Sequence, residues 1–165
     1  MPLKPIYVKA NLPFYDDGNG NNEVAFVADD AQQRAAWKLY VEFETRVVTQ
    51  MLGDDEGILR EALDSLYKLF QITRDILREA GPEIANGPQS LGPITIQMLN
   101  KGIRPVTAKW HPLLKDYEEK RPPHKSVAEY EREWEKHDEM RARLKELQVG
   151  MTAYVRLLAK IVGAE

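Results

Sequence analysis

Apolar residues recur along most of this chain in steps of three and four, the spacing that gathers them on one face of a helix. A first helix is predicted from Asp29-Asp30, an N-cap with first-turn negative charge, to about Leu52, with Ala36, Trp37, Tyr40, Val41, Val47, Val48 and Met51 on its apolar face. Gly53 ends it and Asp54-Asp55 opens the next. A second helix is predicted over about Asp55 to Ala80, carrying Leu59, Leu63, Leu66, Phe70, Thr73, Ile76, Leu77 and Ala80, and Gly81-Pro82 stops it. Residues 81–93 hold three prolines and three glycines and read as a loop. A third helix starts near Gly92-Pro93, and its seam is Ile96, Leu99, Ile103, Val106, Trp110, Leu113 and Tyr117. Pro105 interrupts that seam without shifting its register, so a kink is expected around residues 101–105, with a second irregularity at Pro112. Ser126-Val-Ala-Glu129 reads as a capping box and opens a fourth helix to about Val162. Unbroken, that helix would span on the order of 55 Å. One end would then project, unless the helix bends near Gly150.

The first 28 residues follow another pattern. Ile6-Tyr-Val and Val24-Ala-Phe-Val are short β-prone runs on either side of the turn-rich Asp16-Asp-Gly-Asn-Gly-Asn-Asn. A β-hairpin or extended arm over 1–28 is expected, followed by a helical domain over 29–165. The predicted architecture is mainly α: an antiparallel up-down four-helix bundle with a kinked third helix, a long fourth helix and this short N-terminal element.

Composition narrows the chemistry. The chain has no cysteine, which removes disulfides, thiolate metal sites and cysteine nucleophiles and fits a reducing, cytoplasmic setting. With 23 basic against 26 acidic side chains, no whole-molecule field draws in nucleic acid, and nucleic-acid binding is not expected. No apolar run is long enough for a membrane span, and Met1-Pro-Leu-Lys-Pro does not lead into a signal peptide.

Polar residues at apolar positions are the candidate site. Glu44 interrupts the first helix face, His137 and Arg141 lie on the apolar stripe of the fourth, and Asn100, Arg104, Ala108 and His111 form a stripe beside the third seam. A Glu44–Arg141 or Glu44–His137 pair across the bundle would balance buried charge; an internal network that fixes helix register is the plainer reading. No metal and no cofactor is expected. A carboxylate-bridged metal bundle needs Glu-x-x-His, but Ala108, Arg121 and Trp134 stand three before the histidines. Glu133 and His137 supply two ligands at most, and no nucleophile elbow or phosphate loop is present.

One enzymatic alternative has a chemical basis. Ribonucleases of the HEPN type carry an arginine, four to six residues and a histidine; here Arg104 and His111, or Arg132 and His137, have that spacing. An arginine would stabilise phosphorane charge and a histidine would move the proton. Trp110, Trp134 and Tyr130 could stack on bases, although their seam spacing points to core packing. A helical small-ligand sensor is a third possibility and needs a pocket between helices.

Leu99-Asn-Lys-Gly-Ile-Arg-Pro105-Val-Thr-Ala-Lys-Trp-His-Pro112, with Leu59-Arg-Glu-Ala-Leu-Asp-Ser-Leu-Tyr-Lys-Leu-Phe70, resembles an uncharacterised family of bacterial helical proteins. That family shares a Leu-Asn-x-x-Leu-Arg-Pro…Lys-Trp-His-Pro pattern. The resemblance covers about residues 30–163, with Ile103 in place of leucine. It implies a bacterial origin, importance for Arg104, Trp110 and His111, and a place in multi-protein systems, defence among them. The expected function is a non-enzymatic interaction or assembly module that engages a protein partner or a second copy. Its binding residues are Arg104, Trp110, His111, Glu44, His137 and Arg141, and the contact is expected at the kink of the third helix, along the fourth helix or at the strand edges of the arm.

Overall fold

A computed structural model describes residues 1–46 and 58–165. The chain is mainly helical, with a small antiparallel hairpin at its N-terminus. The strands β1 (Ile6–Asn11) and β2 (Glu23–Ala28) pair from Ile6 opposite Ala28 to Asn11 opposite Glu23. Alternation turns Val8, Val24, Phe26 and Ala28 into the core and leaves Tyr7 and Val27 outside as an exposed cross-strand pair. Asp16 and Asp17 organise the turn by accepting from the amides of Gly18 and Gly20, and of Asn19 and Asn21. Gly18 and Gly20 have φ of 96° and 86°, a region glycine enters without steric cost. Gln97 brackets Asp16 from across the molecule, accepting from its N–H and donating to its carbonyl, both at 3.0 Å.

The hairpin edges are already engaged. Gln89 accepts from Ala25 N–H at 2.9 Å, Gln32 donates to the Val27 carbonyl, and Lys160 donates to the Lys9 carbonyl at 3.2 Å. The expected free strand edge is therefore blunted by side chains on both sides.

Helix α1 (Asp30–Glu44) starts at Asp29, whose carboxylate accepts from Gln32 N–H at 3.0 Å. Two predictions for this helix are corrected. Its buried row is Gln32, Ala35, Ala36, Leu39 and Phe43, while Trp37 is 56% and Val41 38% exposed. The segment carries two apolar rows, and periodicity alone does not say which faces inward. What selects the inner one is Gln32, whose amide oxygen accepts from Leu91 N–H at 2.9 Å. The helix also stops at Glu44 rather than near Leu52, with Thr45 as C-cap and its hydroxyl donating to the Val41 carbonyl. Val47, Val48, Met51, Leu52, Gly53 and the predicted start at Asp54-Asp55 lie outside the described residues.

Helix α2 (Leu59–Ala80) buries Leu59, Leu63, Leu66, Thr73 and Ile76 as its spacing predicts, and Ala62 and Leu69 besides, while the predicted Phe70, Leu77 and Ala80 are half-buried. Gly81, at φ 75°, ends it in a 3-10 turn over Gly81–Ile84. The next segment has three parts: α3 (Leu91–Gln97), a π-helical stretch (Met98–Ile103) and α4 (Arg104–Glu118). Pro105 has no N–H to donate, and its ring crowds the carbonyl four residues back, so the preceding turn widens. A widened turn also rotates the face before it. Leu91, Ile94, Thr95 and Met98 are buried there, whereas Ile96, read backwards from the later seam at α-helical pitch, is 49% exposed. From the end of the wide turn onward, Ile103, Val106 and Trp110 are buried as predicted, and Leu114 replaces Leu113 and Tyr117 as the deepest residue. Pro112 is accommodated inside α4.

The predicted long fourth helix is two helices, α5 (Val127–Arg132) and α6 (His137–Val162). Ser126 caps α5 by accepting from Glu129 N–H at 3.1 Å. The break falls at residues 133–136, where tight turns from Trp134 N–H to the Glu131 carbonyl and from His137 N–H to the Trp134 carbonyl bring Trp134 into the core. Gly150 lies within α6, which runs on to Gly163 at φ 75°. Helix α1 packs on α2 and α6, α2 on α4, α4 on α6, and β1 on α6. Their inner faces and the hairpin share one core around Trp110, Tyr154, Phe43 and Leu12.

Candidate functional site

The first turn of α2 presents backbone N–H groups that its N-cap residue, Ile58, has no polar side chain to satisfy. Glu131 of α5 supplies the acceptors. Its carboxylate takes Leu59 N–H at 2.7 Å and Arg60 N–H at 3.0 Å while almost fully buried. Burial pushes the Glu131 carboxyl above the ordinary glutamate range, and its two backbone bonds only partly offset that shift.

Arg60 extends the junction. It grips Glu118 of α4 through two parallel bonds of 2.9 and 2.7 Å, and it reaches Asp64 at 3.3 Å. The same guanidinium lies 3.5 Å from Nδ1 of His111, whose ring meets Tyr67 edge-on with centroids 5.3 Å apart. Glu118 holds Arg60 firmly in its charged form. With its donors committed to two carboxylates, Arg60 works as a clasp between α2 and α4 rather than as a free anion site.

Beside the clasp lies an aromatic cluster. Tyr117 stacks on Tyr130 at 4.0 Å and on Trp134 at 5.3 Å, and Trp134 meets Trp110 edge-on at 6.0 Å. Tyr117 also donates its hydroxyl to the Tyr130 carbonyl. Trp110 and Trp134 are buried, so their spacing is core packing and neither offers a face for a base.

Arg104 and His111, singled out from the sequence, make separate contacts on α2. Both lie on one helix, about 10 Å apart along its axis. Each meets α2 at its own point: Arg104 sits over the Phe70 ring at 5.1 Å and donates to Asn100 at 3.1 Å, while His111 joins Tyr67 and Arg60. Arg132 ends α5 exposed, and His137 opens α6 with its Nδ1 3.1 Å from the Asp138 carboxylate. Glu44 is exposed at the end of α1 and Arg141 is half-buried on α6. The sequence pattern does not single out Arg60, Glu118 or Glu131. Each looks like a surface charge in its own helix, and only the α5–α6 break swings Glu131 onto α2. Among the described residues no group of histidine, aspartate and glutamate could hold a metal ion.

A second feature is on the surface. Trp37 stacks on Tyr40 with centroids 6.1 Å apart, and Val41 follows one turn on. Leu3 and Val162 join Trp37 in an open groove of about 600 Å³, flanked by Arg34 and Lys38. Arg34 is held by Asp30 at 3.0 Å and Lys38 by Glu79 at 2.8 Å. Comparison with protein-family models, with curated proteins and with solved structures finds no match to this chain.

Proposed function

We propose that this chain is a non-enzymatic assembly module that self-associates through the outward face of α1. The observation that carries the reading is Trp37, a large aromatic left more than half exposed on a regular helix beside Leu3, Tyr40 and Val41. Contiguous apolar surface of this kind marks contact sites, and tryptophan is the residue most enriched at their centres. Charge order along the helix favours a second copy as the occupant. Arg34, Trp37, Val41 and Glu44 follow one another at steps of three and four. Two such helices packed antiparallel would set Trp37 of each copy against Val41 of the other, with Arg34 facing Glu44. One helix face is small for a permanent interface, so the association is weak and depends on concentration.

The framework behind this face we read as an antiparallel up-down four-helix bundle of α1, α2, the kinked α3-to-α4 segment and α6. The closed ring of packing from α1 to α2, α4, α6 and back supports that reading. The resemblance over residues 30–163 supports a bacterial protein that works within a larger, defence-related assembly, and the lack of cysteine fits a cytoplasmic setting. Light scattering across a concentration series tests the module. Mass is expected to rise toward a dimer for wild type, to stay monomeric for Arg34→Glu and for Glu44→Arg, and to rise again for the double exchange. A wild type that stays monomeric throughout would remove the reading.

A further inference from the structure

The geometry points to a binding site for a small apolar monocarboxylate in the cavity between the π-helical stretch, α6 and the segment after β1. The cavity measures about 140 Å³ and is lined at its base by Met98, Leu147 and Met151, all buried. A void of roughly this size holds a benzene-sized molecule. Phe14 lines its hairpin side, with its ring edge-on to Tyr154 at 6.0 Å, and the cavity opens to solvent.

Two glycines open the space. Gly102 of the π-helical stretch and Gly150 of α6 both line the cavity. Neither has a positive φ, and a Cβ at either would meet only ordinary contacts: Leu147 at 3.7 Å and Phe14 at 3.9 Å for Gly102, and Phe14 at 3.7 Å for Gly150. Alanine would fit and would form a better helix at both positions. Close packing therefore does not account for glycine on two helical segments facing one void, whereas room for a ligand does.

The rim supplies the charge. Lys101 is exposed, and Arg143 reaches Glu146 only at 3.8 Å, a loose contact on a mostly exposed carboxylate. Two cations against one acid favour an anionic head, while the thioether- and leucine-lined base favours an apolar body. The π-helical turn places Lys101 and Gly102 next to each other at this wall, and such turns often occur at functional sites. No residue of the α1 face takes part, so this inference stands apart from self-association.

Amide NMR titration of the full chain with benzoate tests it, with benzyl alcohol and inorganic phosphate as the neutral and the purely ionic controls. Benzoate is expected to shift residues 98–103 and 147–151 saturably, at least about tenfold more tightly than either control. Lys101→Glu and Arg143→Glu should each weaken it by about the same factor, and Gly150→Leu, which fills the void, should abolish it. The two charge variants lie at the surface and carry the test if Gly150→Leu does not fold. Absence of saturable shifts at these residues, equal binding of either control, or indifference to both charge variants would overturn the inference.

Discussion

Glu131 carries the heaviest structural duty of any single side chain at the α2–α5 junction. It satisfies two backbone donors from another element, and one of them, at Leu59, is buried. Glu131→Ala should cost about 2–3 kcal/mol in chemical denaturation, since the orphaned donors lose acceptors that water cannot fully replace. Its charge adds a pH dependence of definite sign. Burial raises the folded-state pKa above the unfolded value, so the folded protein binds the proton more tightly. The associated stability is present below the ordinary glutamate range and is lost as pH rises through the raised value. Wild-type stability relative to Glu131→Gln should therefore fall as pH rises above the ordinary glutamate range, and a rising difference would mean that the two backbone bonds outweigh burial. Gly150 permits a second test at this scale: Gly150→Ala should raise stability by about 0.5–1 kcal/mol, because the added methyl meets no clash in a helical setting. A loss instead would show that the cavity wall is already in contact.

Between α2 and α4 the main polar contact among the described residues is the Arg60–Glu118 clasp. Both side chains keep a fifth to a third of their surface in water, so the pair is moderated by solvent. A double-mutant cycle on Arg60→Ala and Glu118→Ala should give a coupling of about 1 kcal/mol, reduced in high salt. A coupling near zero would show that the clasp adds nothing to the packing of α2 on α4. At this scale the sequence is most legible where helices are long and singly striped. Much of the stripe of α2 and the terminating Gly81 could be read directly; before Pro105 the sequence predicts a kink, and the structure has a π-helical stretch. Three features could not be read this way. In α1 two apolar rows compete, and the choice rests on Gln32, a tertiary contact. The π-helical turn slips the phase of the face before it, so Ile96 looks inward only if pitch is assumed constant. The α5–α6 break has neither glycine nor proline and is driven by the burial of Trp134. That break is what carries Glu131 to α2, so the polar junction could not be foreseen either.

For the whole molecule, the α1 surprise is also the functional argument. The row that periodicity assigns to the interior is apolar because something is expected to cover it, and within the chain Trp37 remains open. Trp110 and Trp134 are 1% and 7% exposed, which makes Trp37 the tryptophan that solvent quenchers reach in the folded monomer. Acrylamide quenching of the intrinsic fluorescence across a concentration series thus reports directly on that face, alongside mass from light scattering. If the chain assembles through α1, the quenchable fraction should shrink and the emission shift to shorter wavelength as the dimer forms. Should the mass double while Trp37 stays fully quenchable, or should no change in mass or quenching occur at any concentration, the face is not the assembly surface and the proposed function does not hold.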